Sequence, residues 1–287
     1  MTRYLQTLRW SAWLAWQVES NWLSPGLFFL YSVVKPLAAA LLLVCMYWAA
    51  QSQTNGLAPA GYLPFLYVGS ISFMLIGSIT AGISSAVISD REQYGMLKYV
   101  RISPVSLRAY LVGRGMSRAV QAGLGVLMAL ILGTLLLSEL RGAIGRHGID
   151  WLWLPVYLLE GTVLLVALGL ILAGAVLNMS RYGSFLAEGV VGGLYLLSGV
   201  IFPLQMLPVW LQPVSLALPT TYWLEGMRRV LLGPSELSAP LHQWSNGQLA
   251  RGLLVTSLAL AVFSHLFFHW CQKRAWRLGR FDQISGY

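Results

Sequence analysis

Apolar residues fall into six long blocks, 27–50, 62–88, 119–138, 152–177, 184–203 and 252–271, and none alternates every second residue as a barrel strand does. Each block is close to the roughly 20 residues that a helix needs to cross a bilayer. Continuous apolar runs satisfy their own backbone in lipid only as helices. The pattern therefore predicts an all-α membrane protein with six transmembrane helices, residues 1–287 forming a single transmembrane domain. Residues 1–22 differ: Trp10, Trp13, Trp16 and Trp22 alternate with Arg9, Gln17, Glu19 and Asn21, while Leu5, Leu8, Ala12 and Trp16 recur at helical spacing. That predicts an amphipathic helix in the membrane interface, followed by a Ser24-Pro25 start to the first span. In residues 203–250, Pro203, Pro208, Pro213, Pro219, Pro234 and Pro240 cut the apolar pieces too short to span. Such pieces suit an outer re-entrant segment, with Glu225, Arg228 and Arg229 pairing locally on an exposed helix face. Glu139 to Asp150 is expected to be a small polar loop.

Composition strengthens the membrane assignment, because 57% of residues are hydrophobic and only 10% charged, too few for a water-facing surface of this size. The net charge of +9 is distributed as topology requires. With six alternating spans, Arg3, Arg9, Arg91, Lys98, Arg101, Arg108, Arg114, Arg118, Arg181, Lys273, Arg274, Arg277 and Arg280 fall on one side. Arg141, Arg146, Arg228, Arg229 and Arg251 fall on the other. The positive-inside rule then places both termini in the cytoplasm and the chain in the cytoplasmic membrane. Basic residues flanking spans in this way give no reason to expect nucleic acid as a partner. No signal-peptide core or cleavage site precedes Leu23, so the N-terminus is expected to be retained. Cys45 and Cys271 are expected near opposite membrane faces, too far apart for a disulfide.

Candidate chemistry is sparse. No Gly-Lys pair exists and the three lysines lack a P-loop context, so the chain has no ATP-binding motif of that kind and is not expected to be an enzyme. His265 and His269 share a helix face, but His147 and His242 belong to the opposite side, and no metal or other cofactor is expected in this chain. Three ionisable residues fall inside spans. Lys35 and Glu188 lie at similar depths and are expected to pair; Glu160 lies in the outer half of the fourth span, as a structural polar contact or a transport residue. Residues 90–114 form the one long charged stretch between spans, with a break at Ser103-Pro104. A membrane protein that places such a patch there presents a docking surface to a soluble partner.

Two segments carry a family resemblance. Asp90-Arg91-Glu92, Gly95, Met96-Leu97 and Ser103-Pro104-Val105-Ser106 resemble the signature of the ABC-2 family of ABC transporter permeases. Ser198-Gly199, Phe202-Pro203, Leu207-Pro208, Trp210 to Pro213, Pro219, Tyr222, Glu225-Gly226 and Arg228 resemble that family's segment between its fifth and sixth spans. The resemblance implies an export permease in which two six-helix halves, identical or related, are driven by two copies of a separate cytoplasmic ATPase that holds ATP and Mg. It also implies that Asp90, Arg91, Glu92, Gly95, Leu97 and Pro104 belong to the coupling segment. Pro203, Pro208, Trp210, Pro219, Glu225 and Arg228 would belong to an outer gate. Asp stands at 90 where the family usually has Glu.

The pattern resembles the drug, lipid and lipid-linked oligosaccharide branch more than the branch exporting long polymers, which implies a hydrophobic or amphipathic cargo taken from the inner leaflet or the cytoplasm, with membrane lipids as partners. Three other readings stay open: a polysaccharide exporter, a membrane scaffold of the same fold, and a membrane enzyme using Glu160 or Glu188.

Overall fold

The computed structural model describes residues 2–20, 25–53, 61–179, 182–238 and 240–281, which contain helices and short connections and no strand. The helices are α1 (Thr2–Ser20), α2 (Pro25–Gln53), α3 (Tyr62–Ile88), α4 (Leu97–Ile102), α5 (Leu107–Leu136), α6 (Ser138–His147), α7 (Trp153–Leu177), α8 (Gly183–Leu197), α9 (Gln212–Ala217), α10 (Pro219–Leu232) and α11 (Asn246–Arg277). A π-helical turn, Ser89–Gln93, continues α3.

Among the described residues four helices are long and apolar enough to cross a membrane: α3 with its π turn, α5, α7 and α11. In α2 the described apolar stretch is Leu37–Ala49, and α8 has 15 residues. The expected block 184–203 is therefore not one helix. Gly199 turns the chain at φ 71° two residues after α8 ends, and Pro203 follows. The α8 rise is about 22 Å, against a bilayer core of about 30 Å.

Two further expectations are corrected. The stretch between Glu139 and Asp150 is mostly helix, α6, which packs on α3, α5 and α10. Residues 107–114 belong to α5, one continuous helix whose start is capped by the Ser106 hydroxyl accepting from Ala109 N at 3.2 Å. The break at Ser103-Pro104 is where it was expected, Ser103 being extended at ψ 155°. The Ser24 cap of the first span lies outside the described residues.

The bundle is organised around α3, which touches α2, α5, α6, α7, α8 and α10. Large side chains on one helix enter notches left by glycine on the next. Tyr67 of α3 lies against Gly133 of α5 and donates to Ala129 O at 2.6 Å. Ile83 of α3 sits against Gly115 of α5 and Gly169 of α7. Trp223 of α10 fills the notch at Gly161 of α7, and Tyr157 of α7 fills the one at Gly226 of α10. Small residues that let helices approach are the usual means of packing in lipid, where burial of apolar surface gives no net drive.

Candidate functional site

At the end of α3 the π turn carries a buried polar cluster. Asp90, 1% exposed, accepts from Arg114 Nη2 at 3.0 Å through one oxygen and from Tyr110 OH at 2.8 Å through the other. Tyr110 and Arg114 are one turn apart on α5, so both reach the same carboxylate. Arg91 is also buried and donates to Met179 O, just past the end of α7, at 2.8 Å and to Glu92 Oε1 at 3.1 Å. Asn178 in turn donates to Cys271 O of α11 at 3.0 Å. One end of the bundle is thus tied together, α3 to α5 by Asp90, α3 to α7 by Arg91, and α7 to α11 by Asn178.

From this anchor the chain projects a ridge. Gly95 takes φ 59°, a left-handed conformation that side-chain-bearing residues rarely adopt, and turns the backbone into α4. Met96 N closes the turn on Asp90 O at 2.8 Å, and Leu97 is fully buried beneath it. Gln93, Tyr94, Met96, Lys98, Tyr99, Pro104 and Val105 are exposed, and Ile102 is 81% exposed. Asp90 and Arg91 therefore hold the ridge and do not form its surface; Glu92 is half-buried between the two roles. Tyr110 and Arg114 were not singled out with Asp90 from sequence. Their signal was a tyrosine and an arginine at i and i+4 near the start of a span.

At the other end of α3, roughly 35 Å away along its axis, lies a second polar cluster. Arg228 of α10 is buried, donates through Nη2 to Gly199 O and Val200 O at 2.9 Å each and through Nε to Phe65 O at 3.2 Å, and stacks over the Phe65 ring at 3.6 Å. Burial pulls its pKa down to about 10, with Glu225 and Tyr62 opposing, so it stays charged at neutral pH. Arg229 donates to Glu225 Oε1 at 2.7 Å and to the carbonyls of Leu241 and Trp244. The Glu225 and Arg229 pair was expected on an exposed face; both residues are instead 5% exposed or less, because α10 is enclosed by α3, α6, α7 and α11. Trp223 Nε1 donates to Tyr157 O at 2.9 Å, and Tyr157 OH to Asn246 O at 3.1 Å. Of the other residues expected at an outer gate, Pro203 and Pro219 are buried, whereas Pro208 and Trp210 are exposed.

Lys35 has its side chain outside the described residues, and Glu188 is exposed on α8. Glu160 is buried on α7 with Oε2 lacking a hydrogen-bond partner among the described residues. His265 contacts Arg108, with Nε2 at 3.0 Å. No group of three metal-binding side chains gathers among the described residues.

Spanning helices tied at both ends, with a ridge projecting from one of them, define a multi-pass membrane protein. The family comparison makes this specific: the ABC-2 type transporter family matches residues 8–232, most of the chain, and the protein belongs to that family. It is a membrane permease component of an ABC transporter, not its ATPase. Permeases of this family generally dimerise and work with an ABC ATPase. No curated protein matches the chain.

Proposed function

We propose that this chain is the permease subunit of an ATP-driven exporter moving a hydrophobic or amphipathic molecule, such as a drug, lipid or lipid-linked compound, outward across the cytoplasmic membrane. The observation that carries this reading is the exposed ridge from Gln93 to Val105, fixed to two spanning helices through buried Asp90, Tyr110 and Arg114. A surface held this way moves with α3 and α5, so a push on it tilts both as rigid bodies. In this reading a cytoplasmic ATPase, one copy per permease half and carrying ATP and Mg, docks on the ridge through Tyr99 and Ile102. Two permease copies enclose the pathway. The segment α2 supplies a further span, α8 with the turn that follows it makes the remaining crossing, both termini lie in the cytoplasm, and α9 with α10 forms the re-entrant outer part. The density of basic residues beside the ridge supports that orientation.

The test is purification from the native membrane, with reconstitution of whatever ATPase co-elutes. Stimulation of ATP hydrolysis by amphipathic compounds, lost in Ile102→Asp, is the expected result. Stimulation only by a long polysaccharide would transfer the protein to polymer export. An absence of any ATPase partner would leave a scaffold.

A further inference from the structure

The face where α1 lies against α5 holds a groove that the coupling ridge and the polar end clusters do not use. The two helices cross most tightly where Ser11 meets Gly113: Ser11 Oγ lies 3.5 Å from Ala109 O, and a Cβ on Gly113 would come within 1.9 Å of that hydroxyl. Beside this crossing is a space of about 710 Å³ whose lining includes Arg9, Trp10, Trp13, Trp16, Ser117 and Val120, a volume in the roughly 300–1,000 Å³ range of small-molecule sites. Trp10 is 64% exposed and Trp13 and Val120 are 55% exposed, so apolar surface faces the groove without cover from the other described residues.

Two polar features make it more than an apolar face. Ser117 is 3% exposed, and its hydroxyl has no hydrogen-bond partner among the described residues, which is costly for a buried donor unless something supplies an acceptor. Arg9 stands at the rim, on a helix with Arg3 as a second cation and Glu19 as its only acid. Apolar walls, a hydroxyl without an acceptor and a cation match an amphipathic anion. We infer that the groove binds an anionic phospholipid, with an acyl chain against the indoles and Val120, the phosphate beside Arg9, and a glyceryl ester or phosphate oxygen accepting from Ser117 once its buried hydroxyl turns toward the groove. That this lipid belongs to the inner leaflet rests on the orientation proposed above. The indoles and the arginine then sit at headgroup depth, where such side chains are favoured.

The full-length permease, reconstituted without any ATPase in vesicles of phosphatidylcholine with a minor fraction of phosphatidylglycerol of the same chains, is extracted. Its retained lipids are then counted by native mass spectrometry. Phosphatidylglycerol should be enriched over its bulk proportion by roughly fivefold, which is what one arginine contributes against an anionic surface. Arg9→Gln should abolish the enrichment while lipid is still retained, and Ser117→Phe, which fills the floor, should lose both lipids. Equal retention of the two lipids by the unaltered protein, or enrichment that survives Arg9→Gln, would overturn the inference. So would retention of neither together with disulfide-linked dimers of Trp13→Cys, which would put a second copy over the groove. Should Ser117→Phe fail to fold, the exposed Arg9 decides alone. Because no ATPase is present, a failed transport reading leaves these counts unchanged, and labelling of Trp10→Cys only from the outer side would refute the leaflet separately.

Discussion

A carboxylate as enclosed as Asp90 is stable only while its partners remain. Arg114→Met would leave it with Tyr110 alone, and removing one member of a buried pair costs about 3–5 kcal/mol. That loss should appear in detergent unfolding, with Asp90→Asn added to Arg114→Met recovering a substantial part of it. Arg228 poses a different problem, since its partners are backbone carbonyls and a ring face rather than an acid. A lysine cannot reproduce a planar fork reaching three carbonyls. Arg228→Lys is therefore expected to cost about 2–3 kcal/mol in the same assay, the worth of one or two charge-assisted hydrogen bonds. From sequence Asp90 belongs to a docking patch and Arg228 to an exposed helix face, yet both are buried. Glu225 and Arg229 have the i, i+4 spacing of a surface pair, and only the enclosure of α10 by its neighbouring helices makes them buried.

For the elements, the decisive distinction is between what holds the ridge and what it offers. Ile102→Asp on α4 alters an exposed position, where stability changes stay within about 0.5 kcal/mol. It removes an apolar anchor of about 1.5–3 kcal/mol, so ATPase affinity should fall roughly 10- to 100-fold, measured by co-elution at graded ATPase concentration. Gly95→Val acts otherwise. No atom lies within 4 Å of a Cβ built there, so its cost is the left-handed backbone, about 1–2 kcal/mol, and the turn into α4 should loosen without a clash. The break at Ser103-Pro104 was legible because proline acts locally on the residue before it. The helix α6 was not, because Arg141, Gly142, Gly145 and Arg146 form a polar sequence whose apolar contact is confined to one face at Leu140 and Ile144. The shortness of α8 was also hidden, since Val200 and Ile201 continue the apolar run past the turn at Gly199.

Across the whole molecule, α3 is the element on which the others register. Ile83 fits between α5 and α7, with Gly115 and Gly169 both pressed against it. Gly115→Ala should be destabilising by about 1–3 kcal/mol through overpacking, and Ile83→Ala by about 2–5 kcal/mol through the cavity it leaves. Combined, they should be milder than their sum, because the added methyl enters the space vacated; a double-mutant cycle in detergent unfolding measures this coupling. The anchoring of the ridge has a further consequence, for the making of hybrids. If the motor docks there as proposed, residues 93–105 form a fitting whose fixings lie elsewhere in the chain, an acid at the end of one span and a phenol and a guanidinium near the start of the next. Grafted onto a related permease that has this trio, the fitting would bring its choice of motor along. A recipient lacking any of the three would display the right surface on a loose mount, binding the motor yet failing to be moved by it.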